Sequence, residues 1–140
     1  MNMPALKKIL VVDDEQSILL SLSHVLKAEG VEVITCNEIE QAETALDSTY
    51  FDLVIADIRM SGVNGIEGLE LLSYIKDHFD TKVIIMSGYG DNDTKNEAYQ
   101  RGALYYFQKP VDIPELLKQV SFAGIPVNNS WLRDSQNTTM

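Results

Sequence analysis

The stretch Lys8 to Val12 is an unbroken apolar run that ends abruptly in Asp13, Asp14 and Glu15. A short apolar run without polar alternation is what a strand buried on both faces requires, and that burial belongs to parallel sheets covered by helices. The pattern recurs along the chain. Val31 to Cys36 reads as a second strand, and Phe51 to Ala56 as a third that ends at Asp57. Lys82 to Met86 ends at Ser87, and Ala103 to Gln108 ends at Lys109 and Pro110. Between these runs apolar residues return at helical spacing. Ile18, Leu19, Leu22, Val25 and Leu26 precede a stop at Gly30, and Ile39, Ala42, Ala45 and Leu46 line a helix over Glu38 to Asp47. Ile66, Leu69, Leu72 and Ile75 follow a loop with Gly62 and Gly65; Leu116, Leu117 and Val120 mark a helix over Ile113 to Ala123. Gly88 and Gly90 loosen the turn before Asp91 to Arg101, a polar helix with little apolar face and Tyr99 as its main anchor.

Five strands alternating with five helices indicate an α/β domain with a mostly parallel sheet and helices on both faces. The expected arrangement is a flavodoxin-like, doubly wound five-stranded parallel sheet in the order 2-1-3-4-5. With 140 residues, 45% of them hydrophobic, the chain can bury one core of that size. The pattern occupies residues 1–123. The remainder, 124–140, reads as a flexible tail in which Trp131 and Leu132 stand out as docking candidates. Cys36 is the single cysteine, so there is no disulfide framework, and it reads as a small buried apolar residue. No apolar run has the length of a membrane span and no leader pattern opens the chain, so a cytoplasmic location without membrane insertion is expected. The net charge of −10 repels phosphate backbones and argues against direct nucleic-acid binding. It suits a divalent cation or a partner with a basic patch.

In an open parallel sheet, functional groups collect at the carboxyl ends of the strands, beside the point where strand order reverses. Here the first, third, fourth and fifth strands end in Asp13/Asp14, Asp57, Ser87 and Lys109. Core packing has no use for polar groups at four strand ends. Crowded carboxylates oppose one another's ionisation, and a divalent oxygen-seeking cation such as Mg²⁺ relieves that conflict. Lys109 adds a compact positive charge able to contact both Asp57 and an incoming phosphoryl group, and Ser87 adds a hydroxyl donor. The set points to phosphoryl transfer onto Asp57 as nucleophile, giving a hydrolysable acyl phosphate suited to a transient signal. Taken singly, each residue also has a plainer reading. The acidic pair would serve as a helix cap, Asp57 as turn chemistry, Lys109 as a solvated lysine, Ser87 as a strand-end serine and Tyr106 as a core aromatic. Joint placement disfavours those readings for the aspartates and the lysine.

The runs Ile9-Leu-Val-Val-Asp-Asp-Glu15, Asp57-Ile-Arg-Met60, Met86-Ser-Gly88 and Gly102-Ala103 through Tyr106 to Lys109-Pro110 resemble the receiver domains of two-component response regulators (CheY-like). The resemblance extends from about Lys7 to Ala123. It implies that Asp57 is the phosphoacceptor, with Lys109 and Ser87 assisting. It implies Mg²⁺ held by Asp13, Asp14, Asp57 and the backbone carbonyl of Arg59, with Asp14 direct and Asp13 acting through water. The Lys109–Pro110 bond is expected to be cis. The resemblance also implies that Ser87 and Tyr106 are switch positions coupling the site to a surface of the fourth helix, fifth strand and fifth helix. The implied phosphoryl source is a histidine kinase or a histidine phosphotransfer protein, and the implied recipient of the signal is a downstream protein target or output domain. The family pattern also allows a phosphorylation-dependent homodimer. Such a protein is a signalling receiver that catalyses only its own phosphorylation and dephosphorylation.

The sequence departs from that pattern at Ser61, where proline is usual. By the same resemblance, Gly88 is expected to leave access to the site open, and Arg59 and Tyr89 to flank it at positions that tune acyl-phosphate hydrolysis. A stand-alone receiver is the favoured reading over the receiver part of a longer regulator. Two rival functions would leave different patterns. A Mg²⁺-dependent phosphatase of the haloacid-dehalogenase type would carry its nucleophile on the first strand, with a second aspartate two residues on and a cap domain. A phosphorylation-independent binding module would usually have lost an acidic ligand or the lysine. His24 and His78 have no metal-ligand companion and read as ordinary helix residues.

Overall fold

The computed structural model of the chain describes residues 5–60, 66–88, 92–128 and 130. Ser61, Gly62, Gly65, Tyr89, Gly90, Asp91, Trp131 and Leu132, named above, lie outside the described residues. The elements in order are β1 (Lys7–Val12), α1 (Gln16–Leu26), β2 (Val31–Cys36), α2 (Ile39–Ser48), β3 (Leu53–Asp57), α3 (Glu67–His78), β4 (Lys82–Ser87), α4 (Asn92–Gln100), β5 (Tyr105–Gln108) and α5 (Ile113–Phe122). All strand pairs are parallel and the sheet runs β2-β1-β3-β4-β5, the order expected from the sequence. Strand order reverses between β1 and β3, whose register pairs Val12 with Ala56 and so brings the ends of both strands to one rim.

Unbroken apolar strands follow from the two-sided core. Ile9, Val11, Leu53, Ile55, Ile84, Met86 and Phe107 pack with Leu19, Leu22, Val25 and Leu26 of α1 and Leu116, Leu117 and Val120 of α5. The alternate residues Leu10, Val12, Val54, Ala56, Val83, Ile85 and Tyr106 pack with Ala42 and Leu46 of α2, Leu69, Leu72 and Ile75 of α3 and Ala98 of α4. Successive side chains of a strand point to opposite faces, so both sets must be apolar.

Several boundaries differ from the sequence reading, among them the start of β3 at Leu53 rather than Phe51. The second helix starts at Ile39 and ends at Ser48, one residue later at each end. β5 starts at Tyr105 rather than Ala103 because Gly102, with φ +104°, ends α4 in the left-handed region and the Ala103 N–H turns back to the Ala98 carbonyl at 3.0 Å. The polar stretch from Gly124 is not wholly a tail. Ile125 is buried and Val127 packs against the α1–α5 core, so packing continues past Ala123 once Gly124, at φ +89°, has turned the chain.

The anchor of α4 also needs correction. Its buried residue is Ala98, whereas Tyr99 is 39% exposed. Tyr99 holds on through its hydroxyl, which accepts the Tyr106 N–H of the edge strand β5 at 3.1 Å. Beyond the helix, Arg101 Nη1 donates to the Leu69 carbonyl at 3.0 Å and to Ser73 Oγ at 3.2 Å, tying this end of α4 to α3.

Candidate functional site

Each rim residue is delivered by its strand. At the end of β1 the Asp13 N–H donates to the Cys36 carbonyl at 3.1 Å, which extends the ladder by one residue and buries the Asp13 side chain. Asp13 Oδ1 accepts the Glu15 N–H at 2.9 Å, a local turn that sets Glu15 as the N-cap of α1. Glu15 makes no side-chain cap bond, so neither member of the acidic pair caps the helix and Asp14 is left exposed on the rim. Asp57 is the last residue of β3 and is buried. The next N–H, of Ile58, donates to the Met86 carbonyl at 2.9 Å and keeps β3 and β4 together up to the site. Ser87, also buried, ends β4, and its carbonyl accepts the Lys109 N–H at 2.8 Å. The Lys109–Pro110 bond is cis, as expected.

One determinant was not singled out in the sequence. Gly68, in the first turn of α3, donates its N–H to the Ile58 carbonyl at 2.9 Å. A Cβ on residue 68 would stand 2.6 Å from Ile58 Cα and closer still to the Asp57 carbonyl oxygen. Only glycine lets α3 pass this close behind the Asp57 backbone. The signal was present as a glycine inside a helical apolar pattern.

The side chains converge. One carboxylate oxygen from each of Asp13, Asp14 and Asp57 lies within 4.8 Å of the others. Lys109 Nζ is 2.8 Å from Asp13 Oδ2 and 3.5 Å from Asp57 Oδ2. It is also 3.5 Å from Glu15 Oε1, a contact the sequence reading did not anticipate. Burial pushes the Asp57 carboxyl up to about 6; Lys109 opposes the rise, while the charges of Asp13 and Asp14 add to it. Burial alone would lower the Lys109 ammonium, but its bond to Asp13 and the charges of Asp57, Asp13 and Glu15 prevail and raise it. Lys109 is therefore a fixed cation. Among the described residues, Lys109 pairs with the carboxylates of Asp13, Glu15 and Asp57, Asp14 stands beside Asp13 and Asp57, and the donors that converge are all oxygen. Such a set fits a hard divalent cation of the Mg²⁺ kind, which takes one or two carboxylates and retains room for phosphate oxygens.

The other expected residues lie around this centre. Arg59 is exposed, two residues beyond Asp57. Tyr106 is buried in the α2–α3–α4 core, and its hydroxyl has no hydrogen-bond partner among the described residues. Tyr89 falls outside the described residues.

The family described as the response regulator receiver domain matches residues 9–121. The chain belongs to that family. Among similar proteins, sporulation initiation phosphotransferase F of Bacillus subtilis (strain 168) is 36% identical over 110 residues, covering 79% of this chain and 87% of the relative. The DNA-binding transcriptional regulator NtrC of Escherichia coli (strain K12) is 40% identical over 114 residues, covering 81% of this chain but 24% of NtrC. This receiver therefore matches about a quarter of NtrC's length. Among solved structures, a response regulator from Thermotoga maritima has a TM-score of 0.75 at 31% identity, covering 84% of this chain and 97% of that one. The beryllofluoride-activated NtrC4 receiver domain dimer has a TM-score of 0.76 at 33% identity, covering 84% and 96%. The chain is thus a receiver domain of a signalling protein in a phosphorelay, with the CheY-like fold. Among the described residues, no helix is long and apolar enough to cross a membrane.

Proposed function

We propose that this receiver takes a phosphoryl group on Asp57 and transmits its arrival through α4, β5 and α5. The observation that carries the proposal is the Asp57 carboxylate, buried at the end of β3 with Lys109 Nζ 3.5 Å away and two further carboxylates within 4.8 Å. An Asp57 oxygen attacks the donor phosphorus. The bond from phosphorus to the donor's leaving atom breaks, and the leaving group departs with that electron pair. Lys109 lies where it can compensate the negative charge carried by the transferred group. Asp14 and Asp57, with Asp13 through water and the Arg59 carbonyl, would hold Mg²⁺, and a bound Mg²⁺ would supply further charge neutralisation for phosphate oxygens. Ser87 would donate its hydroxyl to a phosphoryl oxygen.

For the output, Tyr106 and α4 are the movable parts. Tyr106 carries a buried hydroxyl without a partner among the described residues, and α4 is held by one buried alanine, the Tyr99 hydroxyl and Arg101 beyond its end. A phosphoryl group that recruits the Ser87 hydroxyl would bias these elements toward a second arrangement. The partners that follow are a histidine kinase or histidine phosphotransfer protein as donor, and a protein target, an output domain or a second copy as receiver of the signal. The haloacid-dehalogenase alternative is disfavoured by the position of Asp57 on β3 rather than β1.

The test is intact mass after incubation with acetyl phosphate, with and without Mg²⁺, for the wild type and Asp57→Asn. A single Mg²⁺-dependent phosphoryl adduct absent from Asp57→Asn supports the reading. A folded wild type that gains no adduct from acetyl phosphate or from a phosphohistidine donor refutes it, and sustained turnover of phosphate esters would favour the phosphatase.

A further inference from the structure

Glu15 reaches the Lys109 ammonium from the solvent side, and no role in folding accounts for its carboxylate. It occupies the N-cap of α1, where shorter side chains than glutamate's serve best, and its carboxylate makes no cap bond there. Its side chain instead points across the rim, 3.5 Å from Lys109 Nζ, while the three aspartates converge on one another. Among the described residues, Lys109 thereby has three anionic neighbours of unequal mobility. Asp13 is fully buried and held at 2.8 Å, and Asp57 is fixed at the end of its strand. The Glu15 side chain is 59% exposed, so it can turn into water with little loss, as surface ion pairs do.

We infer that Glu15 is a positioning residue that acts through Lys109: an exchangeable carboxylate that occupies the ammonium before phosphorylation and must yield it when the phosphoryl group arrives. This rests on the phosphoacceptor reading of Asp57. In the reaction with acetyl phosphate, the Asp57 carboxylate forms the new oxygen–phosphorus bond, the acetyl oxygen–phosphorus bond breaks and acetate leaves as the anion. Glu15 takes no part in those bonds. It places one unit of negative charge beside the path of an anionic donor and competes with that donor for Lys109.

The experiment is the rate of adduct formation with acetyl phosphate at saturating Mg²⁺, read by intact mass, for the wild type, Glu15→Gln and Glu15→Lys. Glu15→Gln keeps the shape of the side chain and is expected to be about threefold faster at low salt, the size expected of one charge acting over ~7 Å through water. Glu15→Lys is expected to be faster again. Near 1 M salt, where the Debye length is about 3 Å, the three rates should converge. Thermal unfolding of Glu15→Gln in EDTA should match the wild type, since the carboxylate caps nothing. Equal or slower phosphorylation of Glu15→Gln at low salt, with the wild type reacting normally, overturns the inference and leaves the phosphoacceptor reading standing. A gain that persists undiminished in high salt overturns it too, because shape rather than charge would then be responsible. A wild type without an Asp57 adduct overturns both.

Discussion

Replacing Asp57 by asparagine should stabilise the metal-free protein, and by an amount that grows with pH. The Asp57 carboxyl titrates at about 6 in the fold because burial opposes its charge. An unfolded aspartate titrates at about 3.9. The folded state therefore keeps its proton to higher pH than the unfolded state does. Below about pH 4 both states hold it and the penalty is absent. Between about pH 4 and 6 the unfolded state releases its proton first and stability falls; above about pH 7 the penalty is complete. The two titration points differ by roughly two pH units, and at 1.36 kcal/mol each this amounts to about 3 kcal/mol. The asparagine amide carries no charge, so the Asp57→Asn variant should gain about 3 kcal/mol over the wild type at pH 8 and almost nothing at pH 4. With a urea m-value of ~2 kcal/mol/M for a chain of this size, the midpoint should rise by about 1.5 M at pH 8. The assay is urea unfolding of both proteins in EDTA at pH 4, 6 and 8, followed by circular dichroism. Saturating Mg²⁺ should narrow the gap at pH 8, because the cation offsets the same charge in the wild type alone. A difference between the two proteins that is flat from pH 4 to 8, or a wild type that is the more stable at pH 8 in EDTA, would refute the electrostatic account.

Other perturbations follow from the same geometry. Lys109→Met leaves the fully buried Asp13 without its cation and should cost about 2–4 kcal/mol in EDTA as well as slowing adduct formation; an unchanged melting temperature would show that the pair at 2.8 Å is not coupled to folding. Gly68→Ala forces a methyl group into the Asp57–Ile58 backbone and should destabilise by about 2 kcal/mol or more while reducing phosphorylation, so a variant matching the wild type in both would remove the close-approach argument. At a hundredfold excess over its Kd, Mg²⁺ should stabilise the wild type by about 3 kcal/mol, and Asp14→Asn should lose most of that gain in a thermal-shift titration. Equal Mg²⁺ responses of the two proteins would move the metal away from the rim. Tyr99→Phe removes the acceptor for the Tyr106 N–H and should accelerate hydrogen exchange at that amide with a loss of about 1 kcal/mol, whereas unchanged exchange would mean that Tyr99 does not hold α4 to β5.

Much of this protein is written in one dimension. Apolar runs such as Ile9 to Val12 and Leu53 to Ala56 can be satisfied only by burial on both faces, and their alternation with amphipathic helices leaves few ways to arrange a sheet. Asp13, Asp14, Asp57, Ser87 and Lys109 were legible because each stands at or just past the end of a strand, and strand ends in such a sheet share a rim. What sequence could not decide depends on distances between segments far apart along the chain. That Glu15 turns toward Lys109 rather than capping its own helix depends on the position of a residue 94 places away. That residue 68 must be glycine follows from how closely α3 passes behind Asp57, a matter of helix placement rather than helix propensity. Tyr99 looked like an apolar anchor because periodicity sees side-chain type and not hydroxyl geometry; its bond to the edge of β5 exists only once the sheet has placed that edge beside α4. Ile125 looked like part of a tail because the polar residues beyond it dilute the pattern, yet the turn at Gly124 returns it to the core. Local chemistry sets which elements form and which groups stand at their ends, while the electrostatics of the site arise from packing that brings those ends within a few ångströms of one another and away from water.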